Sequence, residues 1–547
     1  MKIICIYIFT YFDSDVNAEE SVSASQKMRA SMIPLGISYI AATLKNTGNE
    51  TMIIPFSDET KLDDFITDIE NADLFCISLN YYNCISIAEK LTGFLKKINP
   101  NKKIIVGGSI ATLYPDKILK NKNIDALCLG DGERAIINYV NAVKNNELNK
   151  EIDNIFIRQN DDTILKCKEI TFVEDIDSLP FVDRHMWDRW IFDTTQHKIL
   201  IERGCPYKCA YCANHRFAGI SSGNYLRYRN IDSIISELEY VLREYPHTES
   251  FMLYAENIAS DNERFFNLCV ALKEFNLKIN RQINFAIILN VTKKIIRETK
   301  IFDAMKEANI KWVMFGFESA SKEIRNKLNR PKYDNMDILR FCRQMQNRNI
   351  HITIYAMYCY PYETNKTYTE TVKWLKFFRP DDIGYATMLL VEGSELYNRF
   401  FIRNEEKYNE NLFFKIISGW RVKTLKLRVY ITYKPFFETL FWFLKQFRLG
   451  SKFFFIWRFY TDFRKKQIDT YIRKCKIYFD NEDFKKAVKY LNKIESLGDS
   501  WIFADRAFAN FKLGKKQEAL KDINTALKLE KDNKNYHNLR DEIIKYK

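Results

Sequence analysis

Three of the twelve cysteines lie within eight residues and form a candidate metal-binding loop. They are Cys205, Cys209 and Cys212, and they follow an apolar run and a turn made of Gly204 and Pro206. Thiolate is the ligand that iron–sulfur clusters take, so three thiolates can hold three irons of a [4Fe-4S] cube. The fourth iron then keeps an open position, which distinguishes reactive metal sites from closed structural ones. A compound with an amino group and a carboxylate can chelate that iron.

Other roles for the loop stay open on these residues alone. Zinc could use the three cysteines together with His215, which comes three positions after Cys212. A plain electron-transfer cluster could recruit a distant cysteine as its fourth ligand. Motifs further along the chain favour the cluster with an open iron.

The cysteine spacing, with Tyr211 directly before the last cysteine, resembles the signature of the radical S-adenosylmethionine (SAM) superfamily. The resemblance implies that Tyr211 belongs to the cofactor-binding loop. It also implies that SAM binds the cluster, receives one electron and is cleaved to a 5′-deoxyadenosyl radical. Such a radical abstracts hydrogen from unactivated carbon. A reductant protein such as a flavodoxin or ferredoxin would supply the electron.

Length and composition indicate a globular protein of three or four domains. The chain has 547 residues, of which 46% are hydrophobic and 28% charged. Its first apolar run, residues 3–12, has no small-residue cleavage site after it, so a buried strand is expected there and not a signal peptide. Twelve cysteines without a secretory leader favour a reducing compartment, and we expect a cytoplasmic protein.

The formal charge of +14 is concentrated in one region. Residues 421–466 contain twelve Lys or Arg and two acids, so the rest of the chain carries only +4. The charge is therefore a regional feature, and we do not expect a nucleic-acid-binding protein.

Strands and helices alternate over residues 1–170. The apolar runs are residues 3–11, 51–56, 74–79, 104–106 and 126–129, and helical stretches cover residues 36–47, 85–98 and 134–143. This alternation predicts βαβ units and a doubly wound, parallel, Rossmann-like sheet. Such sheets bind ligands at the carboxyl ends of their strands, where the Gly-rich turns of this chain fall. On the residues alone these are ordinary strand-to-helix turns.

The order of these turns resembles the cobalamin-binding domain that precedes the barrel in many radical SAM proteins. The matching segments are Pro34-Leu35-Gly36, Gly107-Gly108, Ile124-Asp125 and Gly130-Asp131-Gly132-Glu133. The resemblance implies that cobalamin contacts Ser78, Gly107, Gly108, Ser109, Gly130, Gly132 and Glu133. The family's Asp-x-His-x-x-Gly loop is absent, because no histidine precedes His185. Cobalamin would then bind without a histidine ligand, or the pocket is vestigial.

Residues 171–195 are predicted to form an extended linker, and residues 196–400 a barrel. Leu179-Pro180 marks the linker, since proline disfavours a helix before it. Six predicted strands suit the partial (β/α)6 TIM-type barrel of the superfamily, whose chemistry sits at the strands' carboxyl ends. They are residues 198–202, 250–254, 283–289, 312–317, 351–358 and 384–390.

Acidic residues follow two of these strands. Glu256 is a candidate acceptor for the ammonium group of SAM. Glu318 and Ser319 resemble the family's Gly-x-Glu-Ser, which implies contacts with the methionine and ribose parts of SAM. Residues 359–364 stand where relatives carry Gly-x-Pro-Gly-Glu-Thr, and both glycines are replaced. We expect Glu363 and Thr364 of this segment to lie at the start of a helix. A tyrosine-rich mouth is a further expectation, with these members: Tyr254, Tyr355, Tyr358, Tyr360 and Tyr362.

The last part of the chain is predicted to be helical. Residues 401–466 are basic and aromatic and contain no uncharged run as long as a membrane span. They are expected to form a helical cap, with a membrane-surface helix as the alternative. In residues 467–547, Ala487, Leu491 and Ile494 are matched 32 positions later by Ala519, Ile523 and Ala526. This repeat predicts tetratricopeptide-like (TPR-like) helix pairs that bind a protein partner.

The sequence therefore predicts a radical SAM enzyme with [4Fe-4S], SAM and cobalamin as cofactors. The expected reaction is methyl transfer to an unactivated centre of a small-molecule or lipid substrate. Without cobalamin, rearrangement, ring formation or oxidation remain open. The other class of answer is a scaffold protein with TPR-like repeats and a structural metal site.

Overall fold

The computed structural model describes residues 1–9, 33–57, 60, 62–191, 194–330, 333–358, 360, 363–388, 391, 394–402, 482–494, 500–531 and 533–545. The chain divides into two compact units. The first consists of Met1–Leu289, Glu307–Ile310 and Leu390–Glu405, and the second of Asn290–Lys306, Lys311–Leu389 and Glu406–Lys547.

The first unit begins with a seven-stranded sheet in the order β2-β1-β3-β4-β5-β6-β7. Its first five strands are parallel and alternate with helices, as the sequence predicts for a doubly wound domain. The strands are β1 (Lys2–Ile8), β2 (Glu50–Phe56), β3 (Leu74–Ser78), β4 (Lys103–Gly107), β5 (Ala126–Cys128), β6 (Ile155–Arg158) and β7 (Ile164–Leu165). The helices are α1 (Leu35–Asn46), α2 (Ile66–Asn71), α3 (Ile85–Ile98), α4 (Ser109–Leu113), α5 (Pro115–Ile118) and α6 (Glu133–Asn145).

Strand β1 lies inside this sheet between β2 and β3. Its residues Ile3, Ile4 and Cys5 have no exposed surface, because helices cover both faces of a parallel sheet. The expectation of a buried first strand is confirmed. The antiparallel strands β6 and β7 were not predicted, since segments of four and two residues carry too little periodicity.

The segment predicted as a linker contains two short 3₁₀ turns, Ile176–Ser178 and Arg184–Trp187, and packs against the core of the first sheet. Trp187 has no exposed surface, and its indole Nε1 donates to Ser38 Oγ at 2.9 Å. Trp190 Nε1 donates to the carbonyl of Ile53 on β2 at 3.1 Å. Two tryptophans are too few to give a periodic signal in the sequence, although each buries a large apolar area.

The first unit continues with three parallel strands in the order β8-β11-β12. They are β8 (Gln196–Leu200), β11 (Ser250–Tyr254) and β12 (Asn284–Leu289). A small antiparallel hairpin, β9 (Glu202–Arg203) with β10 (Arg227–Tyr228), encloses the cysteine loop and helix α7 (Asn214–Gly219). Helices α8 (Ile231–Glu244) and α9 (Asn262–Lys278) follow the hairpin and β11 respectively.

The second unit contains the parallel strands β13 (Ile310–Glu318), β14 (His351–Tyr358) and β15 (Asp382–Thr387), apart from Ile310, which belongs to the first unit. Its helices before residue 400 are α10 (Lys293–Arg297), α11 (Thr299–Glu307), α12 (Lys322–Lys327), α13 (Asn335–Gln346) and α14 (Asn365–Phe378). All six strands predicted from the sequence are therefore present, three in each unit. A short helix, α15 (Glu395–Tyr397), and a π-helical turn, Asn398–Ile402, return to the first unit.

The C-terminal part of the second unit is helical, as predicted. Its helices are α16 (Phe484–Ile494), α17 (Ser500–Lys512), α18 (Lys516–Leu529) and α19 (Lys534–Lys545). Ala487 and Ala519 have no exposed surface, so both small-residue positions of the proposed repeat are core positions. Apart from residues 401 and 402, the predicted cap lies outside the described residues. Among the helices that the structure describes, none is both long and apolar enough to cross a bilayer.

Candidate functional site

The three cysteines lie on the loop that joins β9 to α7. Cys209 is buried, and Cys205 and Cys212 are partly exposed. The chain reaches the loop through Gly204, which has φ +92°. A Cβ at this position would clash with the carbonyl oxygen of Tyr225, so the hairpin can close tightly only over glycine.

Backbone amides surround the sulfurs of this loop. The N–H of Tyr207 donates to Cys205, and the N–H of Asn214 approaches Cys212 Sγ at 3.5 Å. Burial raises the pKa of the Cys205 thiol to about 12. The negative charges of Cys209 and Cys212 also raise this pKa, whereas the hydrogen bond from Tyr207 lowers it. Thiolates at this site therefore need a nearby positive centre, and metal binding would release protons.

These three thiols fit a [4Fe-4S] cube. Soft sulfur donors, one for each of three irons, together with N–H groups aimed at sulfur, are the features that hold and tune such clusters. Among the described residues, no three His, Cys, Asp or Glu side chains converge on a single metal ion. A cube does not require such convergence, because its cysteines bind separate irons.

Glu256 lies directly beyond β11 with its carboxylate exposed beside the loop. Its Oε2 accepts from Asn214 Nδ2 at 3.4 Å. Its charge also contributes to the raised pKa of Cys205 and Tyr225, and Asn214 joins it to the loop that carries the cysteines. An accessible carboxylate at this position suits an ammonium group held at the cluster.

Two more ionisable groups of the first unit lie close to Glu256, and neither was predicted. Burial lowers the pKa of Lys198 to about 8, against the charge of Glu256, and its Nζ lies 3.8 Å from the ring centroid of Tyr254. Burial raises the pKa of Glu202 to about 7, although the N–H of Asn257 donates to its Oε1 at 3.0 Å. Lys198 alternates with buried residues on β8, so its side chain lies on the strand face opposite the helices.

Tyr211 and His215, the other sequence candidates in this loop, are both partly buried. Tyr211 is one residue before Cys212, and His215 is the second residue of α7. The predicted cofactor contact of Tyr211 remains a prediction.

In the second unit, Glu318 and Ser319 end strand β13 in a tight, buried turn. Glu318 has φ +64°, is 6% exposed and lies 3.9 Å from Arg330. The Ser319 hydroxyl has no exposed surface and lies 3.2 Å from that of Thr371. The left-handed backbone at a non-glycine residue is a strained conformation of the kind found at binding sites. The contacts of both residues with SAM remain predictions.

The tyrosine-rich mouth is only partly supported. Tyr254 and Tyr355 are partly exposed, whereas Tyr358 and Tyr360 are buried and belong to the core. Tyr362 lies outside the described residues. Thr364 caps helix α14, as expected, because its hydroxyl accepts from the N–H of Thr367.

The candidate cobalamin site is the carboxyl edge of the first sheet, where Ser78, Gly107, Gly108 and Ser109 come together. The N–H of Ser109 donates to Asn80 Oδ1 at 3.2 Å, and Asn80 Nδ2 donates to Ser78 Oγ at 2.9 Å. Gly108 has φ +100°, and a Cβ there would lie 2.7 Å from the carbonyl oxygen of Leu79. Glycine therefore lets β4 and β3 end side by side, which leaves an edge of backbone and small polar groups that fits a large planar ligand.

In the acidic turn that follows β5, the carboxylates of Asp131 and Glu133 pair with arginines, whereas the sequence predicts a cobalamin contact for Glu133. Glu133 Oε2 accepts from Arg203 Nη1 at 3.2 Å, and Asp131 Oδ1 lies 3.4 Å from the same Nη1. Asp131 also pairs with Arg227. A Cβ at Gly132 would lie 2.9 Å from Ile40 Cδ1, so that side chain would have to shift. The turn thus binds the hairpin before the cysteine loop, and the cobalamin contacts predicted for Gly130, Gly132 and Glu133 remain untested.

Sequence reasoning missed Arg203, Arg227 and Tyr225. All three surround the cysteine loop and pair with residues distant in the sequence. The one local signal was the position of Arg203, next to Gly204 and Cys205.

Two family models match this chain. Residues 199–375 match the radical SAM superfamily, and residues 25–140 match the B12 binding domain. The cysteine loop lies in the first of these segments, and the carboxyl edge of the first sheet in the second. The predicted order of the two domains is confirmed.

Among curated proteins, the chain is 22% identical to the anaerobic magnesium-protoporphyrin IX monomethyl ester cyclase of Rubrivivax gelatinosus over 395 residues, which is 69% of this chain and 68% of that protein. Among solved structures, it is similar to the cobalamin-dependent SAM radical enzyme OxsB with aqua-cobalamin bound. The TM-score is 0.60 at 14% identity, and the match covers 99% of this chain and 84% of OxsB.

A second similar structure is the radical SAM methyltransferase TsrM of Kitasatospora setae with cobalamin and a [4Fe-4S] cluster bound. The TM-score is 0.56 at 13% identity, and the match covers 72% of this chain and 76% of TsrM. These likenesses establish the fold.

The predicted cofactor set and enzyme class are confirmed by these matches together. This chain is a radical SAM enzyme with a B12-binding domain before its radical SAM domain, and these two family matches give it a [4Fe-4S] cluster, SAM and cobalamin as cofactors.

Proposed function

We propose that this enzyme transfers a methyl group to an unactivated carbon or phosphorus centre of a small-molecule substrate. When bound, the cluster supplies the electron that cleaves SAM, and cobalamin supplies the methyl group. The observation that carries the proposal is that one compact unit contains both the cysteine loop and the carboxyl edge of the first sheet.

Contacts within that unit bring the two sites together. Helix α4, which begins at Ser109, contacts helix α7, which begins two residues after Cys212. Ala213 and Phe217 pack against the core of the first sheet. A methyl carrier at the sheet edge and a radical generated at the loop would therefore be neighbours, which radical methylation requires.

In this reaction the residues of the chain have separate roles. Cys205, Cys209 and Cys212 hold the cluster, and Glu256 accepts from the ammonium group of SAM. Tyr254, partly exposed at the end of β11, restricts the access of water to the reacting atoms. A flavodoxin or ferredoxin would deliver the electron, and the TPR-like helices would bind a further protein.

The test is the set of products formed from SAM by the anaerobically reconstituted full chain with hydroxocobalamin and a reductant. We expect bound corrinoid, 5′-deoxyadenosine and S-adenosylhomocysteine. S-adenosylhomocysteine forms when SAM gives its methyl group to cobalamin, whereas electron-driven cleavage of SAM yields methionine instead. The triple Cys→Ala variant should form no 5′-deoxyadenosine.

Two results would contradict methyl transfer. Formation of 5′-deoxyadenosine without S-adenosylhomocysteine would favour ring formation or oxidation, and the similarity to a named cyclase makes this the second candidate. Absence of both products, with zinc found at the loop, would favour the scaffold protein.

A further inference from the structure

Four charged residues connect the acidic turn after β5 to the hairpin around the cysteine loop. We call Asp131, Glu133, Arg203 and Arg227 the ion-pair bridge. Glu133 is 3% exposed and Arg227 is 5% exposed. The formal charges of these four residues sum to zero. Arg203 lies opposite Arg227 in the β9–β10 pairing, and the two arginines can lie side by side because both carboxylates balance their charge.

The bridge is fixed on the cobalamin side by several hydrogen bonds. Glu133 is the first residue of α6, where a negative charge is favoured by the helix dipole. Asp131 Oδ2 also accepts from the N–H of Val173 at 3.0 Å. The carbonyls of Leu129 and Asp131 both accept from Asn154 Nδ2, at 2.9 and 3.3 Å. These hydrogen bonds make the turn rigid, so a ligand that contacts it contacts a fixed conformation.

On the cluster side, the bridge reaches the cysteines through adjacent residues. Arg203 is followed by Gly204 and Cys205 in the chain. Arg227 Nε donates to the carbonyl of Tyr225 at 3.3 Å, and this carbonyl covers Gly204.

We propose that the residues of the ion-pair bridge are positioning residues that couple corrinoid binding at the sheet edge to assembly of the cluster at the cysteine loop. The proposal rests on the two cofactors of the proposed function. Each cofactor needs one fixed arrangement of its own loop, and the bridge joins the two loops through buried charges. Binding of one cofactor therefore pre-orders the loop for the other, and the coupling is reciprocal.

The test measures this coupling directly. The full chain is prepared with and without its iron–sulfur cluster, and each form is titrated with hydroxocobalamin under anaerobic conditions while tryptophan fluorescence is followed. In the natural sequence we expect corrinoid affinity to be about fivefold or more higher with the cluster present, the lower end of typical coupling. In Glu133→Gln we expect this ratio to fall to about one.

The matched control is Lys45→Gln, which removes a more exposed ion pair of 2.5 Å between Lys45 on α1 and Asp183. This variant should keep the full ratio. Arg227→Lys, which keeps the charge and loses the forked hydrogen bonds, is the second test variant and should give an intermediate ratio. A merely structural role would weaken corrinoid binding equally in both forms and leave the ratio unchanged.

A ratio of one in the natural sequence would overturn the coupling and leave the proposed function intact. A full ratio in both Glu133→Gln and Arg227→Lys would also overturn the assignment to these residues. If neither form binds hydroxocobalamin, the coupling and the cobalamin part of the proposed function both fail.

Discussion

Lys198 shows how much a single residue of this enzyme depends on its surroundings. Its amine lies against the ring of Tyr254, and no carboxylate of the described residues lies within ion-pair distance. Burial disfavours the ammonium form, and the charge of Glu256 only partly opposes this effect.

This environment predicts a pH dependence for the chemical reactivity of Lys198. Only the neutral amine reacts with acetic anhydride, so labelling should reach half its maximum near pH 8, the value of the lowered pKa. An ordinary exposed lysine should do so near pH 10.4. Labelling of the peptide that contains Lys198, followed by mass spectrometry across pH 6 to 11, measures this midpoint.

The sign of the linked stability change follows from the same pKa. Between about pH 8 and 10.4 the unfolded chain binds this proton more tightly than the folded chain, so the free energy of unfolding rises with pH in this window. Lys198→Met should remove that rise. Glu256→Gln should move the labelling midpoint below pH 8, because the charge that raises the pKa is lost, and a midpoint that stayed in place would contradict the assigned cause.

Also at the scale of residues, Cys209→Ala should prevent cluster assembly. One iron of the cube would lose its protein ligand. We expect iron and sulfide content to fall to background and 5′-deoxyadenosine formation from SAM to be lost. Cys342→Ala, which alters a buried cysteine of the second unit, is the matched control and should leave both intact.

At the scale of elements, the cysteine loop depends on one backbone conformation. Gly204→Ala would force a left-handed residue to carry a Cβ and would push that Cβ into the carbonyl of Tyr225. Strain of this kind costs about 1–3 kcal/mol, to which the displacement of the hairpin is added. We expect loss of the cluster absorbance after reconstitution.

The control for this substitution is Gly219→Ala at the end of α7. A Cβ at Gly219 would have no neighbour within 4 Å. This variant should reconstitute normally. Equal cluster content in both variants would show that the conformation of Gly204 is not required.

The linker and helix α8 are joined by a second buried set of charges. Glu237 has no exposed surface and accepts from Arg184 at 3.0 Å and from Arg229. Glu237→Ala leaves both guanidinium groups buried without their carboxylate, so the free energy of unfolding should fall by about 3–5 kcal/mol. Chemical denaturation monitored by circular dichroism measures this change.

Glu239 on the same helix provides the comparison. It pairs with Lys278 at 2.6 Å in an exposed position. Glu239→Ala should change stability by about 1 kcal/mol or less, since solvent screens exposed pairs. A similar loss of unfolding free energy in both variants would indicate that helix propensity determines the change and that the buried charges do not.

At the scale of the whole molecule, the sequence predicted the parallel strands well. Strands Ser250–Tyr254 and His351–Tyr358 were predicted with these same bounds, because each is a run rich in apolar and aromatic residues between helical patterns. The cysteine spacing identified the loop. The hairpin β9–β10 could not be predicted, since each strand has only two residues.

The contacts that join elements were also beyond prediction. Arg203 and Glu133 are 70 positions apart in the sequence, and no local pattern indicates that they pair. The prediction that Glu133 contacts cobalamin rested on its place in a Gly-rich turn, whereas the structure engages its carboxylate with Arg203. Local patterns predict elements, and the partners of buried charges depend on the tertiary arrangement.

The uneven charge of the chain gives one prediction for the whole molecule. If residues 401–466 bind anionic membrane surfaces, removal of residues 434–466 should abolish co-sedimentation with phosphatidylserine vesicles. Formation of 5′-deoxyadenosine should be unchanged, because the cysteine loop lies elsewhere in the chain. Absence of vesicle binding by the full chain would favour the cap.

The packing of Trp190 has a consequence for how this protein behaves at high concentration. Open parallel sheets expose unpaired backbone groups on their outermost strands, and these groups can recruit strands from other copies and seed aggregation. Here β2 is one outermost strand, where the Ile53 carbonyl accepts from Trp190 Nε1 and Pro55 has no N–H to offer. The other outermost strand, β7, has only two residues. Among the strands that the structure describes, both edges of this sheet are therefore poor templates for strand addition from another copy, which disfavours aggregation through the sheet.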